Sequence, residues 1–356
     1  MTQNAILFIP DISGFTEFVH NTAINHSRHI ITELLELLID KNTIDLQLAE
    51  IEGDALFLYK LEETIDINAI NKQIEQMYKA FHTHLKRYEF QRICNCGACS
   101  SAYNLSLKFV VHYGEIEFIS IKHTKKPYGA NVIQVHRLLK NEVPFDEYAL
   151  FTEKVLPNFH KSKEAKLTAN YDFGTISYTY QSLGHLKSNL PEVKPIPDNL
   201  PKYKLFDSTE TIQVPILDLY EVISNFDYRL LWVKGVDKLE YEKNKVNRAG
   251  LKHQCLINKN RVEQTTVKKN VDKDQLVYGE STNQVPYTKR FQVYYVLEDA
   301  GNNFTKLNIE VFVDFKPLGF LLKPLLKKNL QKVISENIKD LILLIDSGFT
   351  KEFTNN

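Results

Sequence analysis

The sequence predicts an α+β protein of two domains, and three observations lead to this fold class. The chain has 356 residues, a length that suits two domains. Up to residue 195, short apolar runs typical of strands alternate with amphipathic segments typical of helices. Beyond residue 204, strand-like segments follow one another between an early helix and a long closing helix. We therefore expect domains over 1–195 and 205–350, joined by a proline-rich linker over 196–204.

The elements of the first domain follow from apolar spacing and turn signals. An apolar run predicts the first strand, helical recurrence of apolar residues predicts the helices, and Glu52-Gly53-Asp54 marks a tight hairpin turn. Gly114-Glu115 is interpreted as a second turn between two strands. In chain order the expected elements are a strand 5–9, a helix 15–40, strands 44–51 and 55–59, a helix 70–90, strands 105–113 and 116–121, and a helix 132–139.

The second domain begins with a strand and a helix and then becomes a series of strands. Its last helix carries apolar residues on one side from Leu322 to Ile345. This order predicts a curved antiparallel sheet wrapped around a helix. The expected elements are a strand 205–214, a helix 217–226, strands 239–242, 250–258, 262–269, 275–281, 291–297 and 307–315, and the closing helix.

Composition excludes several classes of protein. Lys plus Arg is 44 and Asp plus Glu is 44, so the net charge is zero, which argues against a general binder of nucleic acids or of anionic membranes. No apolar run is long enough for a transmembrane segment, and the start lacks the features of a signal peptide. Four cysteines in so long a chain do not form a disulfide scaffold. We therefore expect a cytoplasmic protein with reduced thiols.

Two aspartates in the first domain are candidates for a metal site. Asp11 follows the first predicted strand and Asp54 lies at a hairpin tip. If the strands are neighbours, both carboxylates emerge at one end of the sheet beside a helix N-terminus, where they can hold a divalent cation and a polyphosphate. The other interpretation is that Asp11 caps the helix and Asp54 is a turn residue, so both stay open at this point.

Four colinear segments resemble the motifs of class III nucleotidyl cyclases. Residues 8–16 (FIPDISGFT) resemble the opening motif, and 50–55 (EIEGDA) the second. Residues 128–138 (YGANVIQVHRL) resemble the segment that ends in the transition-state arginine. Residues 183–187 (LGHLK) are similar to the closing strand. The resemblance covers 1–195 and implies the ferredoxin-like nucleotide cyclase fold.

The resemblance also implies roles for particular residues. Asp11 and Asp54 would bind Mg²⁺ or Mn²⁺ with help from the Ile12 carbonyl, and Arg137 would stabilise the transition state. Family members are dimers that share their sites, so a homodimer is implied. The residues expected at the phosphates are Ser13, Gly14, Phe15, Thr16 and Lys187, and those expected to select a purine are Glu50 and Lys126.

The sequence also departs from the cyclase pattern. Ile133 stands where the family has its catalytic asparagine, and Lys126 is unusual at the second purine-selecting position. A shift of one residue would let Asn131 or Gln134 replace the asparagine. Two hypotheses remain: a divergent domain that binds nucleotide and metal without cyclizing, and an active purine nucleotide cyclase.

Three of the four cysteines lie close together. Cys94, Cys96 and Cys99 have a spacing that can ligate Zn²⁺ or an iron–sulfur cluster, with His82, His84 or His112 as a fourth ligand. A redox or disulfide role and a loop of inert small residues are the alternatives.

Segment 205–350 resembles the START-like, polyketide-cyclase-type superfamily with its helix-grip fold. The resemblance is carried by 219–225 (LYEVISN), 228–232 (YRLLW) and 317–326 (PLGFLLKPLL). It implies a cavity for a hydrophobic, lipid-like molecule, which would make the protein a sensor or signalling protein. Segment 315–326 contacts either a membrane surface or the packed last helix. The residues expected to line the cavity, or simply to fill the core, are Trp232, Tyr278, Phe291 and Tyr295.

Overall fold

A computed structural model describes most of the chain. The described residues are 2–20, 24–93, 97–156, 166–171, 174–196, 199–243, 245–257 and 259–352. They divide into two compact units, the first formed by 1–87 and 101–193 and the second by 88–100 and 194–356. The sequence had assigned all of 1–195 to the first domain, whereas 88–100 lies in the second unit. No helix in the described ranges is long and apolar enough to cross a membrane.

The first unit is built on one mixed sheet. Its strands lie in the order β2-β3-β1-β4-β6-β8-β7, and β5 pairs with an extension of β4. All neighbours are antiparallel except β4 and β6. The strands are β1 (Gln3–Ser13), β2 (Gln47–Glu52), β3 (Ala55–Leu61), β4 (Ser106–Ile121), β5 (Thr124–Tyr128), β6 (Tyr148–Thr152), β7 (Leu167–Tyr171) and β8 (Gly174–Ser182).

The helices of the first unit carry buried apolar stripes. Ile30, Leu34 and Leu38 are buried at helical spacing on α2, and α5 packs on β1 and β4 through Val135 and Leu138. The helices of the first unit are α1 (Phe15–His20), α2 (Ile24–Asp40), α3 (Ile67–Gln91), whose last four residues belong to the second unit, and α5 (Ala130–Arg137). Helix α4 (Gly97–Ser101) lies almost entirely in the second unit. Residues 21–23, inside the single helix expected over 15–40, are outside the described residues.

The interpretation of Gly114-Glu115 as a turn is wrong. β4 runs without interruption through both residues, pairing first with β1 as far as Ile116 and then with β5. Gly114 is required for a different reason. A Cβ there would lie 2.4 Å from Cγ of Asn131, so the glycine makes room for that side chain. The glycine at this position therefore indicates close packing of Asn131 against the strand and not a turn of the chain.

The second unit is an antiparallel sheet with helices packed on it. Its strands lie in the order β10-β11-β12-β13-β14-β15-β9. Helix α6 packs on β13, β14 and β15, and α8 packs on α7 and β9. The elements are β9 (Tyr203–Ile212), α6 (Ile216–Ser224), α7 (Phe226–Trp232), β10 (Lys238–Glu240), β11 (Lys252–Ile257), β12 (Asn260–Val267), β13 (Leu276–Thr282), β14 (Thr288–Gly301), β15 (Phe304–Phe315) and α8 (Lys323–Asp346). The α+β fold class is confirmed in both units.

Candidate functional site

The two aspartates of the first unit come together at one edge of the sheet. Strands β1 and β3 pair with Asp11 opposite Ala55, the residue after Asp54, and Ile12 N donates to Asp54 O at 3.1 Å. Asp11 lies inside β1 rather than after it, because β3 and β4 both pair with that end of the strand. Burial and the negative charge of Asp11 raise the pKa of Asp54. The two carboxylates are therefore close enough to repel each other.

Lys108 faces this acidic pair and was missed by sequence analysis. It lies opposite Asp11 on β4, and its Nζ is 3.0 Å from Asp11 Oδ2. Burial disfavours the ammonium, but the charges of Asp11 and Asp54 outweigh burial and raise the Lys108 pKa. The signal in the sequence was strand alternation, because Lys108 shares a face with the buried Val110. One ammonium against two carboxylates leaves a net negative charge.

Residues 13–16, which were expected to bind phosphates, form the end of β1 and the start of helix α1. Ser13 is the last residue of β1, Gly14 has φ +87°, and Phe18 N donates to Gly14 O at 3.0 Å as α1 begins. Phe15 and Thr16 occupy the first turn of α1, where backbone N–H groups have no intrahelical partner. Gly14 and Thr16 are exposed to solvent.

The two residues expected to select a purine are paired with each other. Lys126 Nζ on β5 donates to Glu50 Oε1 on β2 at 2.7 Å, and both side chains are about as exposed, at 40% and 43%. The pair presents one ammonium and one carboxylate side by side at the surface. Such a surface pair is easily opened, because exposed ion pairs contribute little to stability.

Helix α5 brings Arg137 to the same region of the unit. The adjacent His136 has its Nδ1 3.1 Å from Oε2 of Glu52, on the hairpin that carries Asp54. Arg137 is exposed, and its carbonyl accepts from the Tyr171 hydroxyl at 3.2 Å. Ile133 is 54% exposed on this helix, so an apolar side chain faces solvent where a cyclase would have its asparagine.

Asn131 is held by two side chains and one backbone carbonyl of the first unit. Its Oδ1 accepts from His112 Nε2 at 3.0 Å and from Lys154 Nζ at 2.8 Å, and its Nδ2 donates to Glu115 O at 2.7 Å. His112 Nδ1 is 2.9 Å from Thr152 Oγ1. Burial lowers the pKa of His112 to about 4, so the ring is neutral at pH 7. Both polar atoms of the Asn131 side chain therefore already have hydrogen-bond partners within the unit, which argues against its use as a substitute catalytic asparagine.

Lys187 binds a carboxylate beside an open cleft. It lies on a 3-10 helix (Gly184–Asn189) rather than on a closing strand, because β8 ends at Ser182 and the chain turns. Its Nζ is 2.8 Å from Oε2 of Glu147, which also accepts from the Tyr78 hydroxyl at 2.8 Å. Glu147 lines a cleft of about 430 Å³ with Ser106, Ser182 and Lys187, and Ser106 is the β4 partner of Ser13.

Glu147 is an anion held by hydrogen-bond donors. Burial opposes its charge, but contacts with His82, Lys187 and Tyr78 prevail and lower its pKa to about 2. His82 Nε2 is 2.8 Å from Glu147 Oε1, although the contact lacks the angles of a hydrogen bond. Burial lowers the pKa of His82. The cleft thus presents both charges, with Lys187 as its cationic group.

Of the cysteine cluster, only one member can be located. Cys94 and Cys96 lie outside the described residues, and Cys99 is buried on α4. Within the described ranges, no group of three or more His, Cys, Asp or Glu residues is placed to hold a metal ion. The metal prediction for the cluster stays a prediction.

The second unit holds a buried charged network that the sequence did not reveal. Arg229 on α7 forms an ion pair with Glu280 on β13 and donates to the Tyr278 hydroxyl at 2.8 Å. Tyr278 donates to Glu280 Oε1 at 2.6 Å, and His253 Nε2 is 3.4 Å from the same oxygen. Against burial, the charge of Arg229 and contacts with His253 and Tyr278 lower the pKa of Glu280 to about 2. The signal in the sequence was Glu280, a charged residue within the buried strand β13, which needs a partner of opposite charge.

The aromatic residues expected to line a cavity lie around this network, with one exception. Trp232, Tyr278 and Tyr295 are buried, and the guanidinium of Arg229 is 5.2 Å from the Trp232 ring centre. The Trp232 and Tyr295 rings are 6.0 Å apart, edge to face. Phe291, nearer the start of β14, is half-buried. These contacts fit either interpretation, a ligand cavity or a packed core.

Comparison with solved structures finds similar chains at low identity. The adenylyl cyclase CyaB from P. aeruginosa is 11% identical, with 51% of this chain and 95% of that chain covered and a TM-score of 0.36. A START superfamily protein from Mycobacterium smegmatis is 14% identical, with 40% of this chain and 97% of that chain covered and a TM-score of 0.31. The fold class itself rests on the strand order and pairing described above.

Comparison with protein families and curated proteins gives a relationship by sequence. The family model described as "Protein of unknown function (DUF2652)" matches residues 31–148. The "Uncharacterized protein Rv2561/Rv2562" of Mycobacterium tuberculosis (strain ATCC 25618 / H37Rv) is 34% identical over 150 residues, which are 42% of this chain and 70% of that protein. With this identity over most of the relative's length, the chain belongs to the family of the uncharacterized Rv2561/Rv2562 protein.

Proposed function

We propose that the first unit binds a purine nucleotide together with a divalent cation, and that the second unit binds a hydrophobic small molecule that regulates this binding. The protein would then act as a sensor or signalling protein. The observation that carries the proposal is the convergence of Asp11 and Asp54 at one sheet edge, with mutual repulsion and a single compensating ammonium from Lys108. Such an arrangement favours an added cation.

The side chains fit a metal ion that arrives with a polyphosphate. Mg²⁺ and Mn²⁺ take oxygen ligands, and Mg²⁺ in nucleotide sites is commonly held by one or two carboxylates plus phosphates. Asp11 and Asp54 supply that number. The Ile12 carbonyl is a proposed third oxygen. Lys108 competes with the metal for Asp11, so we expect weak binding of the metal alone and stronger binding with a nucleotide. A bound metal would neutralise phosphate charge.

The rest of the proposed nucleotide site would be formed by other groups of the first unit. Backbone N–H groups of Ser13, Gly14, Phe15 and Thr16, with Lys187, would bind the phosphates. Glu50 and Lys126 would exchange their mutual ion pair for the purine edge, because a carboxylate accepts and an ammonium donates hydrogen bonds. Arg137, from this chain or from the partner in a proposed homodimer, would bind the phosphoryl group.

Cyclization is the alternative function. It is disfavoured by Ile133 and by the commitment of Asn131 to His112, Lys154 and Glu115. The residues that keep it open are Asp11, Asp54 and Arg137. We therefore propose binding without turnover as the main function.

Nucleotide binding is tested by calorimetric titration of ATP and GTP into the purified full chain with and without Mn²⁺. We expect Mn²⁺-dependent binding in the wild type and its loss in Asp54→Asn. Asp45→Asn is the matched control, because Asp45 has φ 59°, which asparagine tolerates, and it precedes the opposite end of β2. Absence of nucleotide affinity in the wild type would contradict the proposal, and a cyclic product would establish the alternative.

Hydrophobic ligand binding is tested with the sole tryptophan. Trp232 is buried beside Arg229 and Tyr295, so its emission reports on the interior of the second unit. We expect a saturable change in emission when a long-chain fatty acid is added, and none in Trp232→Phe. Unchanged emission, with no lipid in an organic extract of the purified protein, would contradict this part of the proposal.

A further inference from the structure

The second unit displays a compact set of exposed apolar side chains where two loops meet. One loop precedes β14 and contains Tyr287, and the other joins β15 to α8. We call this set the apolar tip. Leu318 is 80% exposed and Leu321 is 74% exposed, whereas large apolar side chains are usually covered. The members of the apolar tip are Tyr287, Leu318, Phe320, Leu321 and Leu325.

The backbone holds the apolar tip in place at a local cost. Leu318 has φ 63° and Tyr287 has φ 67°, a left-handed region that side chains of this size rarely adopt. Lys316 N donates to Tyr287 O at 3.0 Å, and a Cβ on Gly319 would lie 2.3 Å from the same oxygen. Gly319 therefore allows the backbones of the two loops to pack closely against each other. Strained backbone conformations cluster at functional sites, so the two left-handed residues point to a function for the apolar tip.

The stretch of sequence that carries most of the apolar tip has only positive charges, and the nearest acidic residue before it, Asp314, is paired with Arg290. From 315 to 335 the sequence has no Asp or Glu, although the whole chain is neutral. Among the described residues, no ion pair joins these lysines to a carboxylate within 4 Å. Lys323 Nζ lies 5.6 Å from the ring centre of Phe320. The lysines of this stretch are Lys316, Lys323, Lys327, Lys328 and Lys332.

We propose that the apolar tip and its lysines form a docking surface for an anionic lipid bilayer. Exposed leucines and aromatic rings enter the boundary between headgroups and acyl chains, while lysines bind anionic headgroups. A protein partner is the weaker fit, because lysine is depleted at protein–protein interfaces. This surface is separate from the nucleotide site proposed for the first unit, and it would let the second unit collect a hydrophobic ligand at the membrane.

The test is co-sedimentation of the full chain with vesicles. One set contains phosphatidylcholine alone and the other contains phosphatidylcholine and phosphatidylglycerol in equal parts. We expect binding to the anionic vesicles only, weakening by about fivefold for each lysine replaced by glutamine at Lys323 and Lys327. Loss of a leucine from the tip should weaken binding by roughly tenfold.

Leu318→Asn is the most informative variant. Asparagine accepts a positive φ better than leucine, so this change should preserve or raise thermal stability while it lowers vesicle binding. Leu321→Ser should act in the same direction on binding. Leu343→Ser is the matched control, because Leu343 is 65% exposed near the other end of α8, and it should bind vesicles as the wild type does.

Three outcomes would overturn the proposal. The first is absence of wild-type binding to anionic vesicles, and the second is equal binding by wild type and Leu318→Asn/Leu321→Ser. The third is a wild-type dimer that the same double variant converts to monomer without any vesicle binding, which would assign the tip to a second copy of the chain. Sedimentation velocity on the free proteins distinguishes this last case.

Discussion

The two units differ in how far the charge of a buried or half-buried carboxylate is compensated by neighbouring groups. In the second unit, Glu280 is surrounded by Arg229, Tyr278 and His253, so its charge is matched inside the protein. In the first unit, Asp11 and Asp54 share the ammonium of Lys108, and negative charge is left over. A buried charge that is matched within the protein stabilises the fold, whereas uncompensated negative charge favours binding of a cation from solution. The comparison teaches that the incomplete site is the better candidate for binding.

The largest expected effect comes from opening the closed network. Glu280→Gln leaves Arg229 buried without its counter-charge, and we expect a loss of about 3–5 kcal/mol in the free energy of unfolding of the second unit. Urea unfolding followed by Trp232 fluorescence measures it. Glu263→Gln, at an exposed surface pair with Lys252, is the control and should change stability by less than about 1 kcal/mol. A change as small as the control's would show that the network is not closed.

A pH experiment extends the comparison to His112, a neutral buried group. Its pKa is about 4 in the folded chain and 6.5 ordinarily, so the unfolded state takes up a proton first as the pH falls. The contribution of His112 to stability is therefore complete above pH 6.5 and lost towards pH 4, by up to about 3 kcal/mol.

The measurement is the wild-type minus His112→Gln difference in unfolding free energy at a series of pH values, followed by circular dichroism. The exposed His123 provides the control variant, His123→Gln. A His112→Gln difference that stays constant across this range would show that the ring is not buried in its neutral form.

The third prediction removes the cation from the open pair. Lys108→Met leaves Asp11 and Asp54 facing each other without compensation, and we expect a loss of about 1–2 kcal/mol in EDTA. Mn²⁺ should restore more stability to this variant than to the wild type, because the metal no longer competes with Lys108. Thermal melts with EDTA and with Mn²⁺ measure both effects. Lys60→Met, which removes a surface pair with Glu62, is the control, and equal Mn²⁺ effects in both variants would contradict the proposed site.

The smallest expected effect has the opposite sign. Asp54→Asn removes a charge that burial and Asp11 both disfavour, so stability without metal should rise slightly, by less than about 1 kcal/mol because the group is half-exposed. Urea unfolding followed by circular dichroism measures it against Asp45→Asn. A loss comparable to that of Glu280→Gln would mean that Asp54 belongs to a closed network, and the contrast between the units would fail.

Much of the first unit could be predicted from local sequence patterns, and the failures have both local and long-range causes. The Gly53 turn was identified because a hairpin needs such a residue, and β2 and β3 pair as expected. Gly114 was misinterpreted because a glycine that admits Asn131 resembles a turn glycine in sequence. The strands of 148–182 were missed because they gave no strong alternation. Lys108 and Glu280 were missed because their partners lie far away along the chain.

The sequence by itself determined the α+β class, the closing helix and the aspartates at positions 11 and 54, since these depend on periodicity, turn residues and short motifs. Only the tertiary structure decided which charges are matched. Lys108 reaches Asp11 through strand pairing, and Arg229 reaches Glu280 across the interior of the second unit. Electrostatic compensation depends on distance in space, and residue spacing along a chain does not specify that distance.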